Sequence, residues 1–313
     1  MAFLKTIFIL FLVSLISFCN ALAQKNYEIS DDAKQILFLG NSITYSGEYL
    51  AYVETIYRLN NPESKLEWIN LGLPSETVSG LSEEGHAGGA FPRPDLHERL
   101  DRIFSQIQPD LVFANYGMND GIYLPFDTTR FNKYAGGMRW LNSKIQAINA
   151  TPIFVTPPIY DPEKGIPYSL TLDFYADWLI AQKSEKDWNV IDIHFPMKAY
   201  LETQRKTNPS FYLAKDGVHP NSTGHWLMAK PILEFLGITD SDSFITFEES
   251  IADYPNGLEV FILILQKQKI LRDAYLSKTQ HLRPGIPEGL PLIEAEKQVE
   301  LLENQIRDLL VSK

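Results

Sequence analysis

The sequence predicts a three-layer α/β/α fold, in which helices cover both faces of a parallel sheet. Two alternating signals predict it: short apolar runs that are too short for helices, and longer stretches with helical spacing between them. Strands that alternate with helices form βαβ units, whose strands pair in parallel. With 45% hydrophobic and 21% charged residues, the composition is normal for a globular protein. Global disorder is therefore excluded.

The first 23 residues are typical of a secretory signal peptide. Lys5 gives a positive charge near the start, an apolar run covers 7–18, and Ala21-Leu22-Ala23 supplies the small residues of a cleavage site. The run is shorter than the roughly 20 residues that cross a bilayer, which disfavours a membrane anchor. Cys19 would carry a lipoprotein anchor, but the bulky Phe18 before it disfavours lipidation. We expect an exported protein, periplasmic or secreted, that is cleaved after Ala23.

The expected strands and helices alternate through the next part of the chain. The strands are rich in Ile, Val, Leu and Phe and cover Ile36–Leu39, Leu66–Leu71, Leu111–Asn115, Ile153–Thr156 and Val190–Ile193. The expected helices cover Glu48–Leu59, Leu96–Ile107, Arg130–Ile148 and Leu172–Lys183. In a sheet of this kind, ligands bind beyond the carboxyl ends of the strands. The residues that directly follow each strand are therefore the first candidates for chemistry.

From Thr239 onward the alternation stops, and the pattern predicts a helical C-terminal extension. Leu258–Leu276 and Ile293–Leu310 have helical spacing, and the Pro- and Gly-rich segment 283–291 separates them. The second helix carries an apolar stripe that is too short for a coiled coil, which favours packing on the main domain over a dimer seam. We therefore expect a domain at 24–238 and a packed extension at 239–313. The oligomeric state stays open.

Charge and residue usage exclude several kinds of site. The net charge is −11, from 28 Lys and Arg against 39 Asp and Glu, and no basic run is long enough to bind nucleic acid. A single Cys excludes a disulfide framework and a Cys-based zinc site. None of the 6 His residues has the His-Glu-x-x-His spacing of a metal site. We expect no metal, cofactor, nucleic acid partner or stable membrane insertion.

Four short motifs follow the expected strands or precede a late helix. They are Gly40-Asn41-Ser42, Asn70-Leu71-Gly72, Gly117-Met118-Asn119-Asp120 and Asp216-Gly217-Val218-His219. Alone each is weak, because a turn or a helix cap explains it equally well. Acyl transfer needs a hydroxyl nucleophile, a base, a group that orients the base, and donors for the oxyanion. These roles fit Ser42, His219, Asp216 and the pair of Gly72 and Asn119.

The motifs resemble the sequence blocks of the SGNH (GDSL-type) hydrolases, in their order and in the strands that they follow. The resemblance spans Ile36 to about Leu236, with Asn41 where the name-giving pattern has Asp. It implies a flavodoxin-like sheet, with Ser42 as nucleophile and His219 as a base oriented by Asp216. It also implies an oxyanion hole made by the N–H groups of Ser42 and Gly72 and the amide of Asn119.

Other residues compete for these roles or surround them. His225 rivals His219, but Ser222 rather than Asp stands three residues before it, which favours structural hydrogen bonding. The His86–Gly89 segment is similar to a lipase oxyanion motif, but no Gly-x-Ser-x-Gly occurs, and a Gly-rich loop is the better interpretation. Of the aromatic residues in the nearby loops, the candidate substrate contacts are Tyr116, Tyr123 and Phe126. Ordinary packing explains each singly, whereas together they offer stacking faces for a sugar ring.

The sequence therefore predicts a secreted serine esterase that removes a short acyl group, above all acetyl, from a carbohydrate. Tyr123 and Phe126 would crowd the acyl group, which predicts a preference for short chains. A lipid ester is the first alternative, because the family also contains lipases and lysophospholipases. The second is a carbohydrate-binding protein on an inactive scaffold, although every catalytic role is filled. The natural sugar or lipid and the acyl position stay open.

Overall fold

Five strands form one parallel sheet in this computed structural model, which describes residues 27, 29–30 and 32–311. The expected signal peptide at 1–23 lies outside the described residues. The strands are β1 (Gln35–Gly40), β2 (Glu67–Asn70), β3 (Leu111–Asn115), β4 (Thr151–Val155) and β5 (Asn189–Ile191). Their order across the sheet, β2-β1-β3-β4-β5, is the flavodoxin-like doubly wound order. The predicted α/β fold with a parallel central sheet is confirmed.

Helices lie on both faces of the sheet, as a parallel sheet requires. They are α1 (Ser42–Ser46), α2 (Glu48–Asn60), α3 (Leu96–Gln106), α4 (Thr128–Ala147), α5 (Ile166–Lys186), α6 (His194–Arg205), α7 (Ser222–Phe235), α8 (Phe247–Ile251), α9 (Gly257–Thr279) and α10 (Leu292–Val311). Helices α2, α6 and α7 share a core with one face, and α3, α4 and most of α5 share a core with the other. The molecule therefore has three layers.

Strand β1 shows why the expected strands are continuous apolar runs. Successive side chains point to opposite faces, so Ile36 and Phe38 join the first core while Leu37 and Leu39 join the second. All four side chains are buried. A strand that is covered on both faces has no polar side to alternate with, and its sequence is therefore apolar throughout.

The predicted helical C-terminal region is present. Helix α9 contacts β2, α2 and α3, and since α2 and α3 lie on opposite faces, α9 crosses the outer edge of β2. This contact covers a sheet edge that would otherwise be open to pairing with another chain. Helix α10 packs on α9 and buries Ile306 there. The division of the chain after Ile238 stays a prediction.

None of the helices between residues 27 and 311 combines the length and apolar character that a membrane span requires.

Candidate active site

Ser42 lies where β1 turns directly into α1, at the carboxyl end of the strand. Gly40 permits this turn, because a Cβ there would overlap the side chain of Thr44. Asn41 caps the helix, and its side-chain oxygen accepts a hydrogen bond from the N–H of Ile43 at 3.0 Å. Asn41 therefore makes the same kind of cap that Asp would make at this position. The cap fixes the first turn of the helix that carries Ser42.

The loop before α7 brings His219 to Ser42. Ser42 Oγ lies 2.8 Å from His219 Nε2, and His219 Nδ1 lies 2.6 Å from Asp216 Oδ2. Asp216 Oδ1 accepts hydrogen bonds from the backbone N–H groups of Val218 and His219, at 2.9 and 2.8 Å. Gly217 lets the loop close on itself, since its φ is +88°. The structure thus brings together the three predicted residues across 177 positions of chain.

The electrostatics of this loop favour an ionised Asp216. Burial opposes ionisation of the carboxyl group, but the hydrogen bonds from His219 and Val218 and the nearby imidazole outweigh it, and the pKa of Asp216 falls below its usual value. An anion at Nδ1 stabilises an imidazole that gains a proton at Nε2. The side chains of Asp216 and His219 are each 54% exposed, so a substrate can reach them from solvent.

Asn119 follows β3, and both ends of its amide are held. Asn119 Nδ2 donates to the carbonyl of Glu76 at 3.1 Å, and Oδ1 accepts from the hydroxyl of Tyr123 at 3.0 Å. Burial raises the pKa of Tyr123 to about 12, so this hydroxyl keeps its proton at neutral pH. Since Nδ2 carries two hydrogens, one remains for a ligand. Ile122 and Tyr123 have φ values of 46° and 56°, a costly backbone conformation that clusters at functional sites.

Gly72 has a different role from the predicted one. Its N–H donates to Asn70 Oδ1 at 2.9 Å, which leaves no hydrogen for a substrate oxyanion. A Cβ at Gly72 would overlap the backbone of Thr44 and Tyr45, so glycine is needed for the loop after β2 to pack against α1. This packing role corrects the expectation that Gly72 is an oxyanion donor.

Ser75, in the same loop, has the features of a backbone donor. Its φ is +69°, an uncommon conformation for a residue other than glycine. Among the hydrogen bonds of the described chain, none uses the Ser75 N–H. Asn119 binds the carbonyl of the next residue, Glu76, so the turn at Ser75 lies beside Asn119. No pattern in the sequence marks this position, because serine seldom adopts a left-handed conformation.

Two of the three predicted substrate contacts contact other side chains of the protein. Tyr116 is fully buried, and its hydroxyl donates to Glu76 Oε2 at 2.7 Å, so it is not available to a substrate and that prediction is wrong. The physical reason is strand alternation, which directs Tyr116 into the second core. Phe126 packs against Phe174, with ring centroids 4.7 Å apart. Tyr123, half-buried and bonded to Asn119, is the one that borders the site.

The rival histidine is enclosed. His225 is buried, its ring is parallel to that of Tyr49, and Nε2 lies 3.8 Å from Glu48. Burial lowers the pKa of His225 to about 4, with a smaller contribution from His219 and against the opposing effect of Glu48. His225 is therefore neutral at physiological pH and lies inside the protein, away from Ser42. The expected structural hydrogen bonding is not found, because Nδ1 has no partner among the described residues and Nε2 is too far from Glu48 for a hydrogen bond.

Two ion pairs that no sequence pattern indicates lie next to the candidate site. Arg99 and Glu76 form a fully buried ion pair under the loop that carries Ser75. Arg93 pairs with Glu83, and its guanidinium lies 5.3 Å from the ring centroid of Tyr123. The paired residues are 23 and 10 positions apart in sequence, and no local pattern marks them. No three His, Cys, Asp or Glu side chains in the described part of the chain are grouped to hold a metal ion.

Comparison with known proteins finds relatives with the same fold. An acetylxylan esterase of Geobacillus stearothermophilus is 24% identical over 225 residues, which are 65% of this chain and 94% of that protein. The solved structure of Axe2, an acetylxylan esterase from the same organism, aligns with a TM-score of 0.53 and 24% identity over 67% of this chain and 97% of that one. A gut microbial diltiazem-metabolizing enzyme aligns with a TM-score of 0.57 and 21% identity. That alignment covers 69% of this chain and about half, 49%, of the enzyme.

The family itself is shown by a separate match. The model of the GDSL-like Lipase/Acylhydrolase family matches residues 38–227, which contain Ser42, Ser75, Asn119, Asp216 and His219. This span is more than half of the chain. The chain therefore belongs to the GDSL-like lipase/acylhydrolase family of carboxylic ester hydrolases.

Proposed function

We propose that this protein is an exported serine esterase that removes acetyl and other short acyl groups from carbohydrate, with Ser42, His219 and Asp216 as its catalytic residues. The observation that carries the proposal is the continuous contact from Ser42 Oγ through His219 to the Asp216 carboxylate. The two distances are those of hydrogen bonds, and the order nucleophile, base and carboxylate is the one that acyl transfer requires.

The reaction proceeds in two halves. Ser42 Oγ attacks the ester carbonyl carbon and transfers its proton to His219 Nε2, while the carbonyl π electrons move to oxygen and form an oxyanion. The intermediate collapses, the sugar alkoxide leaves with the proton of His219, and the acyl group stays on Ser42. Water then attacks the acyl-enzyme with His219 as base, which releases the carboxylic acid and restores Ser42. The Asp216 carboxylate stabilises the imidazolium that forms in each half.

Three N–H donors surround the oxyanion in this proposal: the backbone N–H groups of Ser42 and Ser75, and the free hydrogen of Asn119 Nδ2. Ser75 replaces Gly72, whose N–H is already bonded to Asn70. The unused Ser75 N–H and the Asn119–Glu76 contact support this choice, because they set two donors side by side.

Carbohydrate is favoured as the group that carries the ester. The relative named an acetylxylan esterase is matched over nearly its whole length. Beside Asn119, the half-buried Tyr123 offers an aromatic ring with a hydroxyl group, which suits a polar sugar ring. Tyr123 also limits the room for a long acyl chain.

A lipid ester is the second candidate, and an exposed apolar strip favours it. Helix α5 presents Ile166, Leu170 and Phe174 to solvent at four-residue spacing, next to exposed Leu124 and Phe126 in the loop that follows Asn119. Large exposed apolar patches often bind membranes or other proteins. An enzyme that uses this strip would prefer aggregated lipid esters over soluble acetyl esters.

The test is a comparison of substrates with residues 24–313, the expected mature chain. We expect acetate release from an acetylated polysaccharide such as acetylxylan, and a fall of kcat/KM from acetyl to butyryl to octanoyl p-nitrophenyl esters. Ser42→Ala should abolish both activities. Faster hydrolysis of octanoyl esters, enhanced by micelles, would favour the lipid candidate. Polysaccharide binding without hydrolysis would favour an inactive binding protein.

A further inference from the structure

The C-terminal region reaches the turn that carries Ser75. Arg283, in the segment after α9, donates a hydrogen bond from Nε to the carbonyl oxygen of Pro74 at 3.0 Å. Its guanidinium also lies 5.2 Å from the ring centroid of Phe91. Arg283 lies outside residues 38–227, which the family model matches. The contact is therefore made by a part of the chain that the family pattern does not include.

The Pro74 carbonyl and the Ser75 N–H belong to the same peptide unit. A peptide unit is planar, and in its trans form the C=O and N–H bonds point in opposite directions. A donor that holds the carbonyl oxygen from one side therefore fixes the direction of the N–H on the other side. A cationic donor also draws electron density toward the carbonyl oxygen, which makes the N–H a stronger donor to an anion.

The guanidinium is free to have this effect because no carboxylate among the described residues pairs with it. Its hydrogen bonds in the described chain go to the carbonyl oxygens of Pro74 and Pro284, and its other neighbour is the ring of Phe91. By contrast, Arg93, whose guanidinium lies over the Tyr123 ring, forms an ion pair with Glu83.

The same C-terminal region also holds the helix that carries the nucleophile. Arg272 of α9 donates to the carbonyl oxygen of Tyr45 at 2.7 Å, and its guanidinium carbon lies 3.9 Å from the Tyr45 ring centroid. Tyr45 lies in α1, the helix that begins at Ser42. The region therefore contacts both backbone segments whose N–H groups serve the oxyanion in the proposed function.

We propose that Arg283 is a positioning residue for catalysis, which orients and polarises the Pro74–Ser75 peptide toward the oxyanion. This inference rests on the proposed function, in which the Ser75 N–H is an oxyanion donor. It makes the C-terminal region part of the catalytic apparatus, in addition to its contribution to the core.

The experiment measures p-nitrophenyl acetate hydrolysis by the full mature chain carrying Arg283→Ala. Loss of one oxyanion donor costs roughly 10²–10³ in kcat, and misorientation of a donor that is still present should cost about 10- to 50-fold. We expect KM to stay within about twofold, because the contact matters in the transition state rather than in substrate binding. Guanidinium ion at concentrations far below those that unfold proteins should restore part of kcat.

The matched control is Arg139→Ala. Arg139 likewise has its guanidinium over an aromatic ring, 5.3 Å from Trp178, but it lies on α4 and contacts neither donor segment. This variant should keep the kcat of the unaltered chain and should not respond to guanidinium. A merely structural Arg283 would lower the melting temperature without a selective loss of kcat and without rescue.

The outcomes separate this inference from the proposed function. Activity that survives Ser42→Ala overturns the proposed function. If Ser42→Ala is inactive while Arg283→Ala keeps its kcat, only the inference about Arg283 is wrong. If Arg283→Ala does not fold, Arg283→Lys replaces it, since lysine lacks the planar fork of arginine. A kcat loss of about fivefold or more at unchanged KM then supports the inference, and an unchanged kcat overturns it.

Discussion

His219 and His225 lie close together in sequence, and burial gives them different chemistry. His219 is open to solvent and contacts Ser42, whereas His225 is enclosed between Tyr49 and Glu48. Asp216 could be assigned from sequence because the loop from Asp216 to His219 forms its hydrogen bonds locally. The enclosure of His225 depends on α2, which is distant in sequence, although its structural role was the favoured interpretation.

The two histidines should respond differently to substitution. His219→Ala should lower kcat by at least about 10⁴-fold, because it removes the proposed base for Ser42. His225→Ala should leave kcat within about fivefold and instead lower the free energy of unfolding. Steady-state kinetics and urea unfolding of both variants provide the measurement. An active His219→Ala would refute the assigned base.

The pKa of His225 predicts a specific loss of stability in acid. In the unfolded chain a histidine has a pKa of roughly 6.5, whereas burial lowers that of His225 to about 4. The unfolded state therefore binds this proton first. The stabilisation is complete above about pH 6.5 and is lost as the pH falls toward 4, with a maximum near 3 kcal/mol.

Urea unfolding at several pH values between 7 and 4 tests this loss. His225→Gln should remove that part of the pH dependence, whereas His97→Gln, at an exposed histidine, should keep it. Equal pH dependence in the two variants would show that His225 is not responsible.

Asn119 should be required for turnover rather than for folding. Asn119→Ala removes one of the proposed oxyanion donors, which predicts a loss of roughly 10²–10³ in kcat, or about 2.7–4 kcal/mol. Asn142→Ala is a control for the loss of a buried asparagine amide, on α4 and away from the site. The measurement is kcat and melting temperature for both variants. A loss under about fivefold would reduce Asn119 to a turn residue.

At the level of elements, apolar runs predicted the strands, and helical spacing predicted the longer helices. All five strands and the long helices α2 to α5, α9 and α10 occur where the patterns predict them. Helix α6 was not predicted, because only Met197 and Leu201 among its apolar side chains are buried and its second half is polar. Helix α1 is too short to show any periodicity.

The attachment of α9 to α2 could not be predicted from the sequence. It depends on charged side chains, which are usually exposed to solvent but are buried here. Lys267 of α9 is buried and donates a hydrogen bond to Glu54 of α2, which is also fully buried. Burial opposes the charge on Lys267, but Glu54 and Glu303 outweigh it and raise the pKa of Lys267. Residues 213 positions apart share no local pattern.

Removal of the ammonium group should therefore be costly. Lys267→Met leaves the Glu54 carboxylate buried without its cation, which predicts a loss of about 3–5 kcal/mol in the free energy of unfolding. Lys269→Met, at an exposed position of the same helix, should change stability little. Urea unfolding compares the two. Equal stability of both variants would mean that the pair does not hold α9 in place.

On the scale of the whole molecule, the layered fold was predicted from the sequence, whereas the loops around the candidate site were predicted only in part. Strand alternation along the chain predicts the sheet, and the sheet brings the ends of β1 and β3 together. The position of Ser75 and the reach of Arg283 depend on turns and tertiary contacts that no spacing rule describes. The candidate catalytic residues could therefore be named from the sequence, whereas the proposed second oxyanion donor and its support could not.

The most direct test of the central claim is covalent labelling by a fluorophosphonate, followed by mass spectrometry of the digested protein. If Ser42 is activated by His219, one phosphonyl group should be found on the peptide that carries Ser42. His219→Ala should react far more slowly, and Ser42→Ala should not react at all. Labelling at a different serine, or no labelling of a folded and active protein, would contradict the account.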